Sequence, residues 1–220
     1  MEKLKKRLSV LFNIIIVIAA PAAWLAMMFA LPEGPLSTRG IGSLRYFTVL
    51  SNMFAVIASV IYLINTRLEV REPSRWAALL KFVSAAAVGL TFFVVLLFLG
   101  PVYGYVKFGL YTGSNIWLHL IVPLLAMIDS IFLDNCPILP FKSTFFGAVP
   151  AAVYGVFYGG NLLINGVEGN DFYGFVMGGV LGSAFVGLSV LFACWLISLM
   201  IWGLKRRFSR KITKKAAAVK

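Results

Sequence analysis

Six stretches of this 220-residue chain are each apolar for long enough to cross a lipid bilayer, and that feature fixes most of what the chain can become. Crossing the hydrocarbon takes about 20 mostly apolar residues in helical form. A segment in lipid must also satisfy its own backbone hydrogen bonds, so runs of this length read as helices. They lie at about 9–31, 45–64, 76–99, 116–133, 142–164 and 172–204. The expectation is an all-α integral membrane protein, a bundle of six transmembrane helices forming one domain over residues 1–220. Composition agrees: 13% of residues are charged and mean hydropathy is +0.92, whereas a soluble domain carries about 25% charged residues.

Lys3, Lys5, Lys6 and Arg7 precede the first run, as they would in a cleavable secretion signal cut near Ala20-Pro21-Ala22. The apolar run continues to Leu31, too long for a signal core. It reads as an uncleaved first span. With the N-terminus in the cytoplasm, every lysine and arginine except Arg39, Arg45 and Lys107 falls on the inner side, as the positive-inside rule requires. Both termini are therefore expected in the cytoplasm. The net charge of +12 reflects this asymmetry and a basic tail over 205–220, suited to anionic lipid of the inner leaflet rather than to nucleic acid.

Cys136 and Cys194 fall on different spans in a reducing or apolar setting, so neither a disulfide nor a metal site is expected. With one histidine and no clustered thiolates or carboxylates, no cofactor is expected either. Small residues at four-residue spacing allow close helix approach in lipid. Gly147, Ala151, Gly155 and Gly159 in the fifth span, and Gly174, Gly178 and Gly182 with Gly179, Ser183 and Gly187 in the sixth, are expected to pack tightly.

Ionisable residues within a span are costly and mark functional candidates. The histidine, His119, and Asp129 share the fourth run, but ten residues separate them by roughly 15 Å along a helix and about 80° around it. They are not one dyad. Asp129 falls toward the inner side, level with Lys81 and Lys142, where a structural ion pair with Lys81 is its simplest role. His119 falls near the outer end, at the depth of Thr48 in the second span. Thr48, Ser51, Asn52, Ala55 and Ser59 form one small or polar stripe that should face the bundle interior.

A hydroxyl and an imidazole at one level supply the parts of a nucleophile and its general base. The unremarkable alternative has Thr48 bonding the Leu44 carbonyl one turn earlier, with His119 as a packing residue. Acyl transfer also needs donors for the developing oxyanion. By depth, the oxyanion and substrate candidates are Arg45, Asn52, Asn115, Ser51 and Asn161, with Tyr111, Tyr158 and Asn165 at the same level.

The six-span plan, the segment LRYFTVLSN at residues 44–52 and WLHLIVPLLAMID at residues 117–129 resemble the androgen-induced protein family and its bacterial relatives. That resemblance implies a membrane-embedded threonine hydrolase that cleaves fatty acid esters of hydroxy fatty acids, here in a bacterial cell membrane. By motif position the catalytic pair would be Thr48 and His119. The loops and the basic tail depart from the animal pattern, and the resemblance assigns no role to Asp129. Two other classes compete: a small proton-coupled transporter or channel using His119 and Asp129, and a non-enzymatic membrane scaffold. The oligomeric state does not follow from the sequence.

Overall fold

The computed structural model of the chain describes residues 2–29, 39–67, 73–105, 109, 111–176 and 178–217, with backbone alone at 103 and 210–217. Leu31, Arg71, Lys107 and Lys220, which enter the sequence reading, fall outside them. Among the described residues, six helices are long and apolar enough to cross a membrane: α1 Glu2–Phe29, α2 Phe47–Arg67, α3 Arg75–Val102, α4 Gly113–Leu133, α5 Phe141–Asn165 and α6 Gly179–Ser209. The last continues as helix to Ala217. Among the described residues there is no strand. The chain is an all-helical, multi-pass membrane protein.

Successive helices alternate in direction. Ser9 near the start of α1 bonds Tyr62 near the end of α2 at 2.9 Å, and Lys205 late in α6 pairs with Asp134, just past α4, at 2.5 Å. The start of α1 and the end of α6 thus lie at one end of the bundle, the terminal end; the starts of α2 and α4 lie at the other, the distal end.

Several boundaries differ from the apolar runs by two or three residues, and the starts of α1 and α6 by seven. Helix α1 begins at Glu2 rather than near residue 9, because lysine, arginine and leucine are good helix formers and carry the helix out past the apolar stretch. Helix α2 begins at Phe47, after a 3-10 turn over Gly40–Arg45. Helix α6 begins at Gly179, not near Phe172. Residues 166–176 and 178 belong instead to a strap across the distal end, turned by Gly174 and Gly179, which adopt φ of 69° and 67°.

The core is built on α3. Two-thirds of its apolar window, 67%, is buried inside the protein, against 17% for α5 and 22% for α6. Its run Ala85, Ala86, Ala87 and Val88 is buried, and these short side chains let four neighbouring helices approach. A Cβ added at Gly89 would sit 2.9 Å from Ile197 and 3.1 Å from Met127.

The glycine stripes behave differently from their expected tight packing. Gly147 is tightly packed: a Cβ there would come within 1.6 Å of the Ser198 hydroxyl. A Cβ at Gly155, Gly159, Gly182 or Gly187 would meet nothing within 4 Å. The glycine faces of the distal halves of α5 and α6 are open, and neighbouring Leu163 and Leu181 are 89% and 86% exposed. Of the small-residue stripe in the fifth span, Gly147 is pressed against a neighbouring helix, whereas the distal half of α5 makes its contacts through Tyr154 and Tyr158.

Candidate functional site

The sequence RYFTV at the start of α2 places Thr48 one residue inside the helix. His119 lies in the first third of α4, within a π-helical turn over Trp117–Ile121. Such wide turns recur at functional sites, and this one has a local cause. Pro123 lacks an N–H and would crowd the carbonyl four residues earlier in a regular helix; widening the preceding turn relieves that. The two distal ends meet so that His119 Nε2 lies 3.3 Å from Thr48 Oγ1. His119 is 8% exposed and Thr48 is half-buried, so the pair is covered at the imidazole and partly exposed at the hydroxyl-bearing residue.

The wide turn also explains Asn52. The Val122 N–H bonds the Trp117 carbonyl, and Pro123 has no N–H to give, which leaves the Leu118 carbonyl without a helical partner. The Asn52 side-chain amide supplies one at 3.0 Å and places its other N–H on the Thr48 carbonyl at 2.8 Å. One fully buried side chain thereby ties the backbone of Thr48 to the residue beside His119. Both N–H groups of Asn52 are engaged by carbonyls, so it does not fit the oxyanion-donor role expected of it; its geometry is that of a brace.

The other candidates separate. Ser51 is buried and donates to the Thr48 carbonyl at 3.1 Å. Asn115 is buried and donates to the Gly109 carbonyl at 2.8 Å. Arg45 is exposed at the distal mouth, its guanidinium 4.6 Å from the Phe172 ring centre and 3.1 Å from the Tyr46 hydroxyl. Asn161 belongs to a different cluster, bonded to Asn165 at 2.7 Å and Asn170 at 3.4 Å. Tyr111 stacks on Tyr105 at 5.2 Å.

Sequence reasoning missed the strap, since residues 172–178 read as part of the sixth apolar run. Asp171 organises it, accepting from the Phe175 N–H at 2.8 Å, the Val176 N–H at 2.9 Å and the Tyr158 hydroxyl at 2.5 Å. Burial would raise the Asp171 carboxyl, but the Tyr158 hydroxyl and these backbone N–H groups outweigh it and hold it below its ordinary 3.8. Tyr173 is carried to the start of α2, where its hydroxyl accepts from the Phe47 N–H at 3.1 Å. Burial pushes this phenol up to about 12, so it stays neutral. From α5, the Tyr154 hydroxyl donates to the Arg45 carbonyl at 2.6 Å.

A second polar cluster lies toward the terminal end. Asp129, fully buried, contacts the Lys81 ammonium. Asn13 bridges them, donating to Asp129 at 2.6 Å and accepting from Lys81 at 2.7 Å, while the Tyr62 ring lies 4.1 Å from the ammonium. Lys142 is exposed and takes no part in this cluster. Asn13 was not singled out, although Ser9 and Asn13 stand four apart on an apolar helix, a spacing that marks one inward face. Nearby, Asp134 has its carboxyl raised by burial, with Lys205 partly offsetting that, and Cys136 is pushed up to about 12 by the same burial. Among the described residues, no group of three or more His, Cys, Asp or Glu could hold a metal ion.

No protein-family model, curated protein or solved structure matches the chain.

Proposed function

We propose that the chain is a membrane-embedded hydrolase of lipid esters in which Thr48 is the nucleophile and His119 the general base. The observation that carries this is the 3.3 Å approach of His119 Nε2 to Thr48 Oγ1, a nucleophile–base contact at the partly open distal end of two membrane helices. His119 accepts the hydroxyl proton as Thr48 Oγ1 attacks the ester carbonyl carbon. The tetrahedral oxyanion then collapses, and the imidazolium returns that proton to the departing alcohol. Water next attacks the acyl-threonine with His119 again as base, releasing the carboxylic acid and restoring the threonine.

A position near the end of the apolar spans suits a substrate whose acyl chain lies in lipid and whose ester lies near the water boundary. The resemblance in LRYFTVLSN and WLHLIVPLLAMID favours fatty acid esters of hydroxy fatty acids as that substrate. The distribution of lysine and arginine favours both termini in the cytoplasm, the site near the outer leaflet of a bacterial cell membrane, and the basic tail on anionic inner-leaflet lipid.

The test is hydrolysis of p-nitrophenyl fatty acyl esters by purified protein in detergent. Wild-type turnover that Thr48→Ala abolishes is the expected result; equal rates in the two would overturn the reading.

A second reading, proton-coupled transport, draws on the buried Lys81–Asp129 cluster. Against it, the helix between His119 and Asp129 carries buried Val122, Ala126 and Met127, an apolar layer rather than a polar route. Proton-gradient-dependent flux in liposomes would favour transport.

A further inference from the structure

The start of α2 is served in part by the preceding turn, where the Tyr46 N–H bonds the Ser43 carbonyl at 3.2 Å and the Val49 N–H bonds the Tyr46 carbonyl at 3.1 Å. The first four N–H groups of a helix have no partner within it, and serine, threonine, aspartate or asparagine just before the helix normally serves them. Here that position is Tyr46, whose side chain cannot fold back onto the following amides. The partner comes from elsewhere: the Tyr173 hydroxyl receives the Phe47 N–H at 3.1 Å across 126 positions of chain. On the other flank, the Tyr154 hydroxyl holds the Arg45 carbonyl at 2.6 Å across 109 positions. The Phe47 and Tyr154 rings also meet, their centres 5.3 Å apart, and Tyr46 packs edge-on against Phe172 at 5.2 Å.

We infer that Tyr154 and Tyr173 are positioning residues that clamp the backbone just before Thr48 and so set the nucleophile against His119; this rests on the hydrolase reading. Thr48 is the second residue of the helix. A first turn deprived of its cap frays, and fraying moves the threonine hydroxyl directly. Tyr173 is itself aimed by the strap, its N–H lying 3.3 Å from the Tyr158 hydroxyl, which donates to Asp171. The nucleophile's position is therefore governed by the connection between α5 and α6.

The experiment compares Tyr173→Phe and Tyr154→Phe, which keep the rings and remove only the hydroxyls. Tyr105→Phe serves as control, since that hydroxyl bonds the Leu96 carbonyl at 2.7 Å, outside the clamp. Amide hydrogen exchange over residues 47–49 and ester-hydrolysis kinetics are read on the same detergent samples. The expected results are faster exchange in both clamp variants, by about fivefold or more for loss of one hydrogen bond, and kcat lowered roughly 10- to 100-fold by the misplaced hydroxyl, with KM little changed. Tyr105→Phe matches wild type in both. Unchanged exchange at residues 47–49 would overturn the clamp whatever the activity. Faster exchange with wild-type kcat would overturn the positioning role. A wild-type protein without hydrolysis would instead remove the hydrolase reading, and the positioning role with it.

Discussion

His119 Nε2 and Thr48 Oγ1 lie 3.3 Å apart although 71 positions of chain separate them. The contact is built by helix starts, a wide turn ahead of Pro123 and one asparagine, and each part can be removed separately. Without the base, His119→Ala should lower kcat on fatty acyl esters by about 10²–10⁴-fold, the usual worth of a general base. KM should stay near its wild-type value, because the imidazole acts on the reacting hydroxyl rather than on the acyl chain. Steady-state kinetics in detergent micelles read both parameters.

Asn52→Leu should weaken the protein and the activity together. The substitution strips the Leu118 carbonyl of the donor that Asn52 supplies at 3.0 Å, while the Thr48 carbonyl loses its 2.8 Å donor but keeps the Ser51 hydroxyl at 3.1 Å. A buried polar group that loses its partner costs about 1–3 kcal/mol, visible as a lower thermal midpoint in detergent. Asn52→Asp should be worse, since a carboxylate would face two carbonyl oxygens. A leucine variant with wild-type kcat would show that the brace is dispensable.

Asp129→Ala should be strongly destabilising, by about 3–5 kcal/mol, because it strands the Lys81 ammonium in a buried site. Replacing both partners, Lys81→Met with Asp129→Leu, should recover most of that loss, since an apolar pair of similar volume leaves no unpaired charge. Thermal unfolding of the two single variants and the double variant measures the coupling. A double variant no more stable than Asp129→Ala would indicate that the charges serve something other than pairing.

Gly147→Ala should cost about 1–3 kcal/mol through overpacking, since the new methyl would overlap the Ser198 hydroxyl. Gly159→Ala, on the same sequence stripe but facing open space, should leave stability within about 0.5 kcal/mol of wild type, read by thermal unfolding. The pair separates helix packing within the chain from the mere presence of a small-residue pattern.

The strap should loosen in acid. Asp171 is held below 3.8 in the folded protein, so the unfolded form binds its proton more readily. Its contribution is complete above 3.8 and is lost as pH falls through the lower folded value. Protection of the Phe175 and Val176 amides against hydrogen exchange should therefore hold from neutral pH down to about 4 and fall below it. In Asp171→Asn that fall should disappear, with protection lower throughout.

The fold and the pairing of depths were legible in the sequence because they follow from counting. Apolar length gives the six spans, and helical rise places Thr48 and His119 at one level while setting Asp129 apart. The proximity of Lys81 to Asp129 was legible for the same reason: few charges occur within the spans, and two of opposite sign at one depth invite each other. Asn13 stayed hidden because a lone asparagine in LFNIII does not disturb the hydropathy of a span. Asn52 was noticed as a polar group at the right depth, but the Leu118 carbonyl it meets is set by a turn type that only the backbone reveals. The strap was illegible because FYGFVMGGV is as apolar as the helix that follows it; what stops the helix is Asp171 bonding backbone amides four and five residues ahead.

The central claim is that the Thr48 hydroxyl is the group that attacks. The most direct measurement is labelling of the purified protein with an alkyl phosphonate probe reactive toward activated hydroxyls, followed by mass-spectrometric mapping of the modified residue. The account predicts a single adduct on Thr48, lost in His119→Ala and reduced in Tyr173→Phe. Labelling of another residue, or of Thr48 at the same rate without His119, would contradict it.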